Sequence, residues 1–182
     1  MDNMTRDMGW RLHIVGRRIE RLDNLSGSLA RFLRRHVDIA GPLQRELAVE
    51  ALLELCDSII TYRTRYRAQP ELLPAIHMLT MDGANPHALA FQVRMLTNYL
   101  RNFEVDGGDL GTDELDASFS ALQDFPWANL EAAGPESERA EATLELAKRL
   151  DDLARAGRTL SDRLAMRFFS HVGGAGQATF AA

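Results

Sequence analysis

The chain has 182 residues, 46% of them hydrophobic, and a formal net charge of −5 at pH 7. That length fills one core and is short for two, and an acidic balance excludes nucleic acid as the main partner, because phosphate binding needs a concentrated basic surface. No apolar run reaches the roughly 18–20 residues of a spanning helix and no charged-then-apolar signal opens the chain, so no membrane role is expected.

The first predicted element is a long helix. Read at about 100° per residue, Met8, Leu12, Val15, Ile19, Leu22, Leu29 and Leu33 make one apolar seam. Trp10, Ile14, Leu25 and Phe32 make a second, with Arg17, Arg21 and Asn24 beside or among them. Gly9, Gly16 and Gly27 form a narrow stripe where another backbone is expected to approach. A helix apolar on two sides is buried on two sides, so this is the expected central helix of a bundle. Asn3 or Thr5 is the expected cap, and Arg31, Arg34 and Arg35 suit the last turn.

Gly41-Pro42 marks a loop and a new start. The second helix is expected to run without interruption from Leu43 to about Arg67, placing Asp57, Thr61 and Arg65 on one line with Tyr62 and Tyr66 beside it. Gln69-Pro70 and Pro74 break the pattern, so Leu72 to Met81 is a short helix. Asp82-Gly83-Ala84-Asn85-Pro86 is a turn-and-cap signal opening a helix from Pro86 to about Phe103. After the Gly107-Gly108 loop comes a shorter helix from Thr112 to about Asp124, then a kink at Pro126-Trp127. The last long helix is expected from Pro135 to about His171. No stretch alternates with period two long enough to make a sheet. The predicted architecture is all-α, an antiparallel bundle of three or four long helices plus short ones. One domain over 1–172 and a flexible glycine-rich tail over 173–182 are expected.

Catalytic chemistry is hard to assemble from these residues. None of the five histidines follows a glutamate by three, and there is no His-Glu-x-x-His and no cysteine pair, so neither a metal nor another cofactor is expected. Gly173-Gly174-Ala175-Gly176 has no lysine after it and no strand before it, unlike a phosphate loop. Cys56, the only cysteine, lies in an apolar run; it reads as core filler in a reducing, cytoplasmic compartment.

The buried polar positions remain. Arg17 and Arg21 share a face with Trp10 and Ile14, and a buried unpaired charge costs several kcal/mol, so Glu20, Glu54, Asp57 or Asp162 is expected to neutralise them. Two readings divide the residues Arg17, Glu20, Arg21, Asn24, Asp57, Thr61, Tyr62, Arg65, Asn85 and Asp162. A salt-bridge network that sets helix register leaves every guanidinium paired. A carboxylate- or phosphate-binding pocket leaves one arginine facing an open cavity.

Four sets of residues then point to a family. Trp10 and Gly16-Arg17-x-x-Glu20-Arg21-x-Asp23-Asn24 stand on the first helix, Asp57-Ser58-x-x-Thr61-Tyr62-Arg63-x-Arg65-Tyr66 on the second. Asp82-x-x-Asn85-Pro86 with Phe91-Gln92, and Leu160-Ser161-Asp162 with Phe169-Ser170-His171, complete the order. Together they resemble the bacterial alpha-E family over nearly the whole chain. Such members are longer or are fused behind a circularly permuted ATP-grasp domain, so the resemblance is to a C-terminal portion. After Asn85-Pro86 the usual form continues with Arg and Ser, where this chain has His87 and Ala88; an anion site using that arginine is weakened here. The resemblance implies a non-catalytic helical accessory domain of a peptide-synthesis or peptide-modification system. Its implied partners are an ATP-grasp ligase-like protein, or that protein's product, and a transglutaminase-like peptidase. The rival is a small-ligand binder or enzyme with an Arg/Asp-lined pocket between helices. If part of the family's bundle is missing, exposed apolar area is expected to drive self-association.

Overall fold

In the computed structural model, which describes residues 8–104, 110, 112–130 and 136–169, two helices form the spine. These are α1 (Met8–Val37, 30 residues) and α7 (Glu136–Phe169, 34 residues). They pack along each other, and their ion pairs show the direction: Asp23 of α1 meets Arg158, and Arg34 further along meets the earlier Asp151. The two helices are therefore antiparallel. Between them α1 buries Val15, Ile19, Leu22, Leu29 and Leu33, and α7 buries Leu146, Leu150, Leu153, Leu160 and Leu164, each worth roughly 1.5–3 kcal/mol against exposure.

The remaining helices wrap this pair. They are α2 (Pro42–Leu55), α3 (Ile59–Tyr66), α4 (Leu72–Met81), α5 (Leu89–Glu104) and α6 (Asp113–Gln123), with a 3-10 turn at Trp127–Leu130. All described regular structure is helical, as the periodicity requires. α5 packs on α1, α6 on α7, and α4 on both α5 and α2. Gly41 joins α1 to α2 at φ +89°, a conformation side chains resist, and an added Cβ there would collide with Gln44 Oε1.

One expectation about α1 holds and another is corrected. The second side of α1 is covered as its two seams imply, and the covering element is α5, with Trp10 edge-on to Tyr99 at 6.4 Å and Arg18 donating to Gln92 Oε1 at 3.0 Å. The glycine stripe, by contrast, is not a close approach. Gly9 is exposed, Gly16 has nothing within 4 Å of a built Cβ, and Gly27 meets only Arg31. The tight contact belongs to Gly157 of α7, whose added Cβ would lie 3.2 Å from Leu22 Cδ2. The expected caps Asn3 and Thr5, the Gly107-Gly108 loop, Ser170 with His171, and the tail lie outside the described residues.

Gly16 yields a direct test. Gly inside a helix costs about 0.5–1 kcal/mol relative to Ala, and at Gly16 a methyl meets open space. Gly16→Ala is expected to raise Tm by about 1–4 °C in thermal unfolding; a lower Tm would mean that the exposed side of α1 is occupied.

Candidate functional site

The largest departure from the sequence reading creates the candidate site. Instead of one helix from Leu43 to Arg67, the chain ends α2 at Leu55 and restarts at Ile59. The Ser58 N–H donates to Leu53 O at 2.8 Å and the Asp57 N–H to Glu54 O at 3.0 Å, the paired bonds of a Schellman turn. Asp57 takes the left-handed position, φ +50°, that glycine ordinarily holds; aspartate tolerates it better than most side chains. The break takes Asp57 off the line of Thr61 and Arg65.

The break also turns Asp57 toward α1. A cleft of about 350 Å³ is lined by Arg21, Asn24, Leu25 and Ser28 of α1, by Leu55, Cys56 and Asp57 of the turn, by Pro86 and His87, and by Gln92 of α5. Hydrogen bonds behind these residues hold the walls. Gln92, 2% exposed, accepts from Arg18 and donates to the Pro86 carbonyl, tying the loop before α5 to α1. Asn85 is buried; its Oδ1 accepts from the His87 N–H at 3.0 Å, and its Nδ2 donates to Ser58 Oγ at 3.5 Å. The Asn85 amide thus joins the α2–α3 turn to the α4–α5 loop.

Four polar side chains on the cleft carry no hydrogen bond or ion pair among the described residues: Arg21, Asn24, Asp57 and His87. The electrostatics favour an anion on the α1 side. Burial, then the charges of Arg21 and Arg17, hold the Arg18 guanidinium below its usual range. Three guanidiniums on one stretch of helix are thus mutually repelled and favour an arriving negative charge. Asp57 lines the same cleft from the α2–α3 turn without an ion pair to Arg21, and it suits an N–H donor.

Cys56, His87 and Asp57 on one cleft invite comparison with a thiol triad. Cys56 forms no hydrogen bond to His87, and burial together with the Asp57 charge pushes its thiol up to about 11, the opposite of an activated nucleophile. Among the described residues no group of three or more His, Cys, Asp or Glu is placed to hold a metal ion.

Of the sequence candidates, Arg21, Asn24 and Asp57 line the cleft and Asn85 stands behind it. Arg17 is half-buried and engaged, while Glu20, Thr61 and Asp162 are exposed. The expected pairing of Arg21 with Glu20, Glu54, Asp57 or Asp162 does not form among the described residues: Arg21 is exposed, and Glu54 and Asp162 face solvent. Tyr62, 1% exposed, is a core residue that donates to Gln69 O at 3.2 Å and accepts from the Glu71 N–H at 3.0 Å, fixing the entry to α4. Arg65 pairs with Asp82 at 2.7 Å, away from the cleft. Burial disfavours the Asp82 carboxylate, but the Ala84 N–H and Arg65 outweigh it and hold its pKa below the usual value. Arg18, His87 and Gln92 are not among the candidate site residues of the sequence reading. Gln92 stands within the motif segments, and the turn signal at Asn85-Pro86 is the pointer to His87.

The described fold places the chain in the class of all-α helical domains, and no helix among the described residues is long and apolar enough to cross a membrane. The chain belongs to the Alpha-E family, described as a predicted alpha-helical domain with a conserved ER motif, which matches residues 1–169. It is similar to proteins named as uncharacterized from Mycobacterium bovis and Mycobacterium tuberculosis, 25% identical over 157 residues. Those matches cover 84% of this chain, which spans 17% of the length of the relatives. No solved structure matches it. Two Glu-Arg pairs occur here, Glu20-Arg21 and Glu138-Arg139, and the arginine of each lines a cavity.

Proposed function

We propose that this chain is a non-catalytic helical binding domain whose cleft between α1, the α2–α3 turn and the α4–α5 loop takes a carboxylate- or phosphate-bearing ligand. The observation that carries the reading is Arg21: its guanidinium lines the cleft without an ion pair among the described residues. A register-setting network would have paired it. The Arg21 fork meets the anion, Asn24 and His87 supply further polar contacts, and Asp57 accepts from an N–H of the same ligand. The setting implied by the family resemblance is a peptide-synthesis or peptide-modification system, and a peptide product of an ATP-grasp ligase-like protein has both the carboxylate and the N–H groups.

Isothermal titration with glutamate, inorganic phosphate and a short acidic peptide tests this. At least one is expected to bind saturably below about 10 mM, and Arg21→Gln to weaken it about tenfold, the loss of one charge-assisted contact. Asp57→Gly removes the carboxylate while suiting the left-handed turn, so it is expected to hold or raise stability and to weaken only ligands with an N–H donor. Equal binding by the wild type and Arg21→Gln, or no saturable binding, overturns the reading.

A second reading is favoured by the outer side of α2. Leu43, Leu47 and Leu55 are 60%, 55% and 74% exposed, and Ile60 of α3 is 78% exposed. This row reaches the cleft at Leu55 and offers a partner protein an apolar edge beside the ligand. Co-purification with an ATP-grasp ligase-like protein, lost in a Leu43→Glu, Leu47→Glu variant, is its test.

A further inference from the structure

A second cavity, of about 450 Å³, lies where the C-terminal end of α1 meets α2, the entry to α4 and the N-terminal part of α7. We propose that it binds a zwitterionic amino acid or dipeptide, its carboxylate on Arg139 and its ammonium on Glu46.

The first observation is His36. It lines the cavity, is 8% exposed, and its Nδ1 has no hydrogen-bond partner. The ring thus borders the cavity with its Nδ1 enclosed, and it reports on what the cavity holds. Burial and the neighbouring Arg45 lower the pKa of His36, leaving an uncharged ring.

The second observation is the charge around the void. Arg45 is already committed, donating to Ile39 O at 2.9 Å and to Glu136 at 2.7 Å. Arg139 and Glu46 are half-buried, and neither side chain has an ion pair or hydrogen bond among the described residues. One helix start adds an N–H group: α4 begins at Leu72, which lines the cavity, and no side chain caps it. A purely anionic ligand would meet Glu46 and Glu71, and a purely cationic one would meet Arg139 and the start of α4. A ligand carrying both charges satisfies both walls.

The experiment titrates glycylglycine, N-acetylglycylglycine and glycylglycinamide into the full chain and follows the His36 ring resonances by NMR. Glycylglycine is expected to shift them saturably, and loss of either terminal charge to weaken binding about tenfold. Arg139→Gln and Glu46→Gln are each expected to weaken glycylglycine by a similar factor; with two variants, a fold defect in one leaves the other decisive. Equal binding of all three compounds, unchanged affinity in both variants, or no saturable shift of His36 up to about 10 mM overturns the proposal.

Discussion

Replacing Leu22 by alanine is expected to destabilise the protein by about 3 kcal/mol and to lower Tm by roughly 6–12 °C. Leu22 is fully buried in the α1–α7 seam and its Cδ2 faces Gly157. Truncation removes transferred apolar area and leaves a void that two long packed helices cannot close. The same geometry predicts a coupled rescue. With Leu22 present, Gly157→Ala gains helix propensity but crowds a contact of 3.2 Å, so the two effects offset. In the Leu22→Ala background the added methyl has room, and Gly157→Ala is expected to restore about 1 kcal/mol. Urea melts of the four-member cycle measure this; strict additivity would place the seam elsewhere.

The second large effect is alkaline. Cys56 is raised from 9.0 to about 11 by burial and by Asp57. Below pH 9 the thiol is protonated in both folded and unfolded chains, and the full stability is present. As pH rises from 9 toward 11 the unfolded chain releases its proton first, so stability is lost, by about 2–3 kcal/mol over that window. Tyr62, raised chiefly by burial, adds the same sign at higher pH. Denaturation at stepped pH is expected to show a slope that Cys56→Ala flattens up to pH 10; a variant with the wild-type slope there sinks the assignment.

Legibility differs between elements for physical reasons. Leu72–Met81 is predicted at its observed bounds because proline and Asp-Gly punctuate both ends. The α2–α3 break escapes prediction because no Gly or Pro marks it; Asp57 adopts a backbone state that sequence preference assigns to glycine. Arg21 and Asn24 stand out as polar residues on an apolar helix, but the acids expected to pair with the arginines lie elsewhere, since pairing depends on helix rotation and on where the neighbouring helix stops. Arg34, Arg45 and Arg158, which form ion pairs between helices, carry no signal that separates them from other surface arginines.

The periodicity of apolar residues by itself determined that the chain is helical, which side of α1 and of α7 is buried, and that Arg21, Asn24 and Asp57 needed explaining. Only the tertiary structure decided that α5 covers the second side of α1, that Gly157 is the close contact, and that Asp57 and Arg21 line one cleft. Periodicity reports the local angle between side chains on one helix. Which helix lies against which, and where a turn of three residues redirects a wall, follow from long-range packing that local spacing does not encode.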